Sequence, residues 1–181
     1  MSQKLGQSLE HLREALLALK PTGSDGFEGL LAAVLSEICG QDFRLAKSGL
    51  QNGKDGATSA ADGNHISFEG KLYKTKINDN EVLTKITRLI GSSAPPDLWV
   101  LGATVEVSTQ LLDSMQPAAA RNGIGTLVLD WPSASAVPPL AAACAYAHAQ
   151  TRAFFQDHVS DASCVTKAEA ALTAIRKTEA F

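Results

Sequence analysis

Apolar residues recur at spacings of three and four near the start of the chain, where Leu5, Leu9, Leu12, Leu16 and Leu19 form one stripe. That period predicts a helix over residues 3–19, ended by Pro21 and Gly23. The period returns over residues 26–39, with Phe27, Leu30, Leu31, Val34, Leu35 and Ile38 inward. Asp25 fits the N-cap of this second helix and Gly40 fits its stop. The period then falls to two. Phe43 and Leu45 alternate with polar and charged positions, as in a strand. A turn-rich stretch from Gly49 to Gly56 leads into a short strand expected over residues 57–61, and Asp62-Gly-Asn64 is a hairpin signal. After it, Ile66, Phe68, Gly70 and Leu72 alternate with Ser67, Glu69, Lys71 and Tyr73. This predicts a strand with one apolar face and one chemically armed, polar face.

Residues 79–90 read as a helix with Val82, Leu83, Ile86, Leu89 and Ile90 inward. Leu98-Trp-Val-Leu101 and Thr126-Leu-Val-Leu129 are short apolar runs that predict buried strands. Between them, residues 108–121 predict a helix, with Ser108 as N-cap and Asn122-Gly123 as its close. Pro132 to Pro139 reads as a linker, and residues 139–157 and 162–178 as alanine-rich helices. The order satisfies an α/β fold, a mixed sheet flanked by helices with helical extensions at both ends. Two buried strands separated by a helix predict a parallel crossover. The divisions are residues 1–23 as an N-terminal helix, 24–131 as the core, and 132–181 as linker and C-terminal helices.

Composition adds bounds. The chain has 181 residues, 45% hydrophobic and 19% charged, enough for one domain with a real core and unlike a disordered chain. No apolar run reaches the roughly 20 residues of a membrane span. The first 20 residues are charged throughout and lack a signal-peptide stretch, so an intracellular, cytoplasmic protein is expected. Cys39, Cys144 and Cys164 are widely spaced without a C-x-x-C pair, which argues against a disulfide framework or a zinc site.

The net charge of -3 is uneven. Residues 44–88 hold eight of the 16 basic residues against five acids, leaving the rest of the chain acidic. A locally basic segment can meet phosphate, and it can equally be a solvated face.

That segment also holds the chemistry. Hydrolysis of a phosphodiester calls for a metal that activates water and neutralises phosphate charge. Hard divalent ions accept one or two carboxylates, with water and substrate completing the shell. Glu69 and Lys71, two apart on a strand, point to one face. The hairpin can return Asp55, in its glycine frame Gly53-Lys-Asp-Gly56, to that face. A bare E-x-K on a strand is also an ordinary solvated pair. Four histidines, His11, His65, His148 and His158, show no ligand spacing.

Asp55 followed by Glu69-Gly-Lys71 resembles the signature of the PD-(D/E)XK nucleases. The run Ser48-Gly-Leu-Gln-Asn-Gly-Lys-Asp-Gly56 is similar to the Q-x-G-x-D-G segment of Mrr-like restriction-endonuclease domains, with Lys54 where the signature has proline. Asp97 to Thr104 and the strand ending at Trp131 resemble the nuclease domains that head large anti-phage defence proteins. The resemblance spans about residues 24–131. It implies a restriction-endonuclease-like sheet, Mg²⁺ or Mn²⁺ on Asp55 and Glu69, aid from the carbonyl of Gly70, and water assisted by Lys71. It also matches Glu28 to an acid contributed by the first core helix and Gln51 to a polar residue near the site. Glu28 has a second reading, a capping box with Asp25. Lys85 and Arg88, on the following helix, and Lys74 and Lys76, continuing the strand, are candidates for phosphate contacts, although Glu81 and Lys85 also fit a surface ion pair.

The expectation is a Mg²⁺-dependent DNA endonuclease that works as a dimer or larger assembly. It is read as the effector domain of a larger defence protein with a C-terminal NTPase or sensor region. The alternatives are an inactive nuclease-fold module that binds DNA or serves assembly, and a nuclease acting on RNA.

Overall fold

The computed structural model describes residues 3–46, 54–58 and 64–178. Among them the chain forms seven helices and one open five-stranded mixed sheet, an α/β architecture. Helix α1 (Gln3–Leu17) presents Leu9, Leu12 and Leu16 to the core, with Leu19 buried just beyond its end. Helix α2 (Phe27–Cys39) buries Phe27, Leu30, Leu31, Val34 and Leu35 and stops where Gly40 adopts a left-handed φ of 63°. Ile38, expected inward, is 40% exposed.

The start of α2 differs from expectation. Gly26 occupies the N-cap with no side-chain bond, and Asp25 pairs with Lys20 at 2.5 Å. The preceding loop supplies backbone acceptors instead: Phe27 N–H donates to the Lys20 carbonyl at 2.7 Å and Gly29 N–H to that of Gly23 at 3.1 Å. Those bonds satisfy donors that a helix start otherwise leaves open.

Strands β1 (Phe43–Leu45), β2 (Gly56–Thr58) and β3 (Ile66–Lys71) are antiparallel neighbours, with Phe43 opposite Thr58 and Gly56 opposite Phe68. Residues 59–61 of the expected short strand, and the turn at Asp62-Gly63, lie outside the described residues. Helix α3 (Asp79–Ile90) leads to β4 (Leu98–Ala103), which pairs parallel with β3. Helix α4 (Thr109–Ala120) then leads to β5 (Gly125–Leu129), parallel with β4. The expected crossover is present, and the order is β1-β2-β3-β4-β5. Strand β5 is less buried than expected. Among the described residues it is the sheet edge, paired on one side only, and Leu127 stays 44% exposed.

Helix α5 (Pro139–Tyr146) and helix α6 (His148–His158) replace one expected helix, because Ala147 leaves helical geometry with ψ of 46°. The buried Thr151 hydroxyl donates to the Cys144 carbonyl across the break at 3.0 Å. Helix α7 (Ala162–Ile175) packs along α1.

Alternation divides the core into two layers. Ile66 and Phe68 of β3 and Val100 of β4 pack with α1, α2 and the C-terminal helices. Trp99, Leu101 and Ala103 pack on the other side with α3 and α4. Glycine lets α2 approach the sheet: a methyl group at Gly102 would lie 2.6 Å from a Leu31 methyl carbon. Among the described residues, no helix is long and apolar enough to cross a membrane.

Candidate active site

The antiparallel register of β2 and β3 delivers Asp55 to the far end of β3. Gly56 lies opposite Phe68, so the preceding residue meets the strand near Glu69. Three bonds fix it there. Asp55 N–H donates to the Phe68 carbonyl at 2.8 Å, its carbonyl accepts from Ala46 N–H at 2.7 Å, and its Oδ2 accepts from Gly70 N–H at 2.8 Å. The same alternation that buries Phe68 in one layer turns Glu69 and Lys71 into the other, beneath α3.

That face is not solvated. The Glu69 side chain is fully buried and that of Lys71 is 9% exposed. Lys71 Nζ lies 2.7 Å from Glu69 Oε1 and also contacts Glu81 Oε1. Lys85 Nζ lies 2.9 Å from Glu69 Oε1, 3.2 Å from Oε2 and 3.9 Å from Asp55 Oδ1. At Glu69 Oε1 the two ammonium ions are at ionic distance, although neither meets the angles of a hydrogen bond. The expected Glu81–Lys85 surface pair is therefore replaced. Both side chains turn inward, Glu81 to Lys71 and Lys85 to Glu69, because buried charges need opposite partners more than exposed ones do. Tyr73 Oη completes the chain by donating to Glu81 Oε2 at 2.8 Å.

Glu28 stands at the first turn of α2 and lines the same cleft. Its Oε2 accepts from Gly23 N–H at 2.9 Å, so the box with Asp25 does not form, yet a backbone donor is still satisfied. Gln51 lies outside the described residues. His65 sits apart, with its ring against Lys54 and the Pro95 carbonyl. Lys74 and Lys76 are exposed, but they follow β3 in a loop instead of continuing the strand. The cause is Thr104, whose hydroxyl donates to the Tyr73 carbonyl at 2.7 Å and accepts from Tyr73 N–H at 2.9 Å. Arg13 of α1 holds the same corner, donating to the carbonyls of Thr104 and Lys74.

The cleft has a volume of about 820 Å³ and opens between residues 21–24, the end of β3 and the first turns of α3. Among the described residues its charged lining is four carboxyl side chains, Glu28, Asp55, Glu69 and Glu81, with two lysines, Lys71 and Lys85. Burial, then the neighbouring charge of Glu69, pushes the Asp55 carboxyl up to about 7, against the pull of the Gly70 N–H. At Lys71 burial favours the neutral amine, but pairing with Glu69 and Glu81 outweighs it and holds the ammonium well above its ordinary range. The bond from Lys71 holds Glu81 below the ordinary range, against burial.

Among the described residues no three His, Cys, Asp or Glu side chains converge as a metal-ligand set. The carboxylates of Asp55 and Glu69, with Glu28 lining the same cleft, are oxygen donors of the kind a hard cation takes while keeping most of its water. Sequence reasoning missed Tyr73 and Thr104 and misassigned Glu81. The available signal was the four-residue spacing of Glu81 and Lys85, on a helix that buries Val82 and Ile86. Comparison with protein-family models, with curated proteins and with solved structures gave no match to this chain.

Proposed function

We propose that the chain is a metal-dependent nuclease of the PD-(D/E)XK type with a restriction-endonuclease-like fold, cleaving DNA phosphodiesters. The observation that carries this reading is the convergence of Asp55, just before β2, with Glu69 and Lys71 of β3 in one cleft lined also by Glu28. Asp55 and Glu69 are the residues that would hold Mg²⁺ or Mn²⁺, with Glu28 as an outer acid. When bound, the ion supplies water activation and neutralisation of phosphate charge. Lys71 acts as a fixed ammonium, since its pairing keeps it protonated. It orients the attacking water and faces negative charge that develops on the phosphate, and it is not the proton acceptor. Glu81 and Tyr73 position that ammonium. The exposed Lys74, Lys76 and Arg88 offer charge to the nucleic-acid backbone. Cutting both strands needs two sites, so the active form is read as a dimer or larger assembly, within a longer defence protein.

One observation favours a second reading. Glu69 already has two ammonium partners, which would leave it satisfied without a metal in a module that only binds nucleic acid. Labelled duplex DNA, single-stranded DNA and RNA, each incubated with Mg²⁺, Mn²⁺ or EDTA, separate these readings. The proposal expects cleavage of DNA that EDTA abolishes. Binding without cleavage in every condition favours the inactive module, and preferential loss of RNA makes the substrate RNA.

A further inference from the structure

Two carboxylates buried side by side repel each other, and the repulsion is relieved by a proton on one of them or by a cation between them. Among the described residues, Lys85 is the cation placed against both. Lys85 Nζ contacts both oxygens of Glu69, at 2.9 and 3.2 Å, and lies 3.9 Å from Asp55 Oδ1. Lys71 does not share this position, because it contacts Glu69 and then turns to Glu81. Lys85 is thus the cation that spans the two carboxylates assigned above to the metal. Its side chain is 17% exposed and lines the cleft, so the ammonium has an open route out on its flexible four-carbon stem. It projects from α3, one turn beyond Glu81, and its withdrawal leaves the Lys71–Glu81–Tyr73 chain intact.

We propose that Lys85 is a built-in counter-ion that occupies the metal position in the resting protein, competes with the divalent ion, and is displaced into the cleft when that ion binds. The inference rests on the metal-dependent reading above. It gives the site a threshold. An ammonium in place about nine-tenths of the time weakens apparent metal affinity about tenfold. It also places a freed cation on the cleft wall once metal is bound.

The test uses the full chain and Mn²⁺ without nucleic acid. Calorimetry gives the Mn²⁺ affinity, and acetylation of lysine amines, resolved by mass spectrometry, reports how accessible Lys85 is. The proposal expects Lys85 acetylation to rise about tenfold as Mn²⁺ is added, with the same midpoint as the heat signal and no such rise at Lys4 or Lys167. It also expects Lys85→Gln to bind Mn²⁺ about tenfold more tightly. If Mn²⁺ binds but Lys85 acetylation stays constant, Lys85 is a permanent structural partner and the displacement is wrong, while the metal site stands. Equal or weaker binding by Lys85→Gln overturns it as well. If wild type and Lys85→Gln both bind no Mn²⁺ at millimolar concentration, the metal reading itself fails and takes this inference with it.

Discussion

The Asp55 carboxyl sits between opposing influences, and its protonation sets a pH dependence that belongs to this one residue. Burial and Glu69 favour its neutral form, so its titration is raised to about 7 in the folded chain, against about 4 unfolded. Between these values the folded protein binds the proton and the unfolded chain does not, so this group's contribution to stability is present at acid pH and is lost as pH rises towards 7. Asp55→Asn keeps an oxygen for Gly70 N–H and removes the titration. Chemical denaturation across pH is therefore expected to show the variant gaining on wild type from about pH 4 to about pH 7, then a constant difference. A constant difference over the whole range contradicts the raised titration. At Glu81 the expected effect is on chemistry. Glu81→Gln loosens Lys71 and lowers the cleavage rate about tenfold while leaving KM little changed, the pattern of a lost positioning interaction.

At the scale of elements, the site depends on β3 being gripped from both sides. Helix α2 lies against it through glycine, and α3 brings Glu81 and Lys85 over its polar face. Gly102→Ala places a methyl group against Leu31 and is expected to cost about 1–3 kcal/mol by overpacking, read as a lower Tm. This is the scale at which the sequence was most legible. The alternation of Ile66, Phe68 and Gly70 against Glu69 and Lys71 showed which residues share a face, and the helices around it followed from their apolar periods. Sequence did not reveal that the polar face would be covered. Strand period assigns a face but not what packs on it, so Glu69 looked the same whether solvated or wholly buried. Ala147 was hidden for a related reason: nothing local breaks the alanine-rich stretch, and the turn follows from how α6 packs on α2 and α7. Asp25 was a good N-cap by type, but backbone acceptors in the loop had taken its role.

At the scale of the whole molecule, the first and last helices support the layer behind the site. Leu12 and Leu16 are fully buried in the same core as Leu172 and Ile175 of α7 and as Phe27, Leu30 and Leu31 of α2. Arg13, on that same α1, secures the loop that carries Tyr73. Leu12→Ala is expected to destabilise the entire chain by about 2–5 kcal/mol in one cooperative transition. Melting followed by circular dichroism and by tryptophan fluorescence of Trp99 and Trp131 checks this, since the two probes should move together. A separate early transition in either probe would mean that the terminal helices fold apart from the sheet.

We propose that Asp55, Glu69 and Lys71 act together as one metal-dependent site for phosphodiester hydrolysis. The most direct measurement is the single-turnover rate of supercoiled plasmid cleavage in Mg²⁺ or Mn²⁺ for wild type, Glu69→Gln and Lys71→Met, with folding of each confirmed by circular dichroism. Wild type is expected to cleave in a way that EDTA stops, and each variant to lose about a hundredfold or more of the rate. Equal metal-dependent cleavage by all three folded proteins would contradict it.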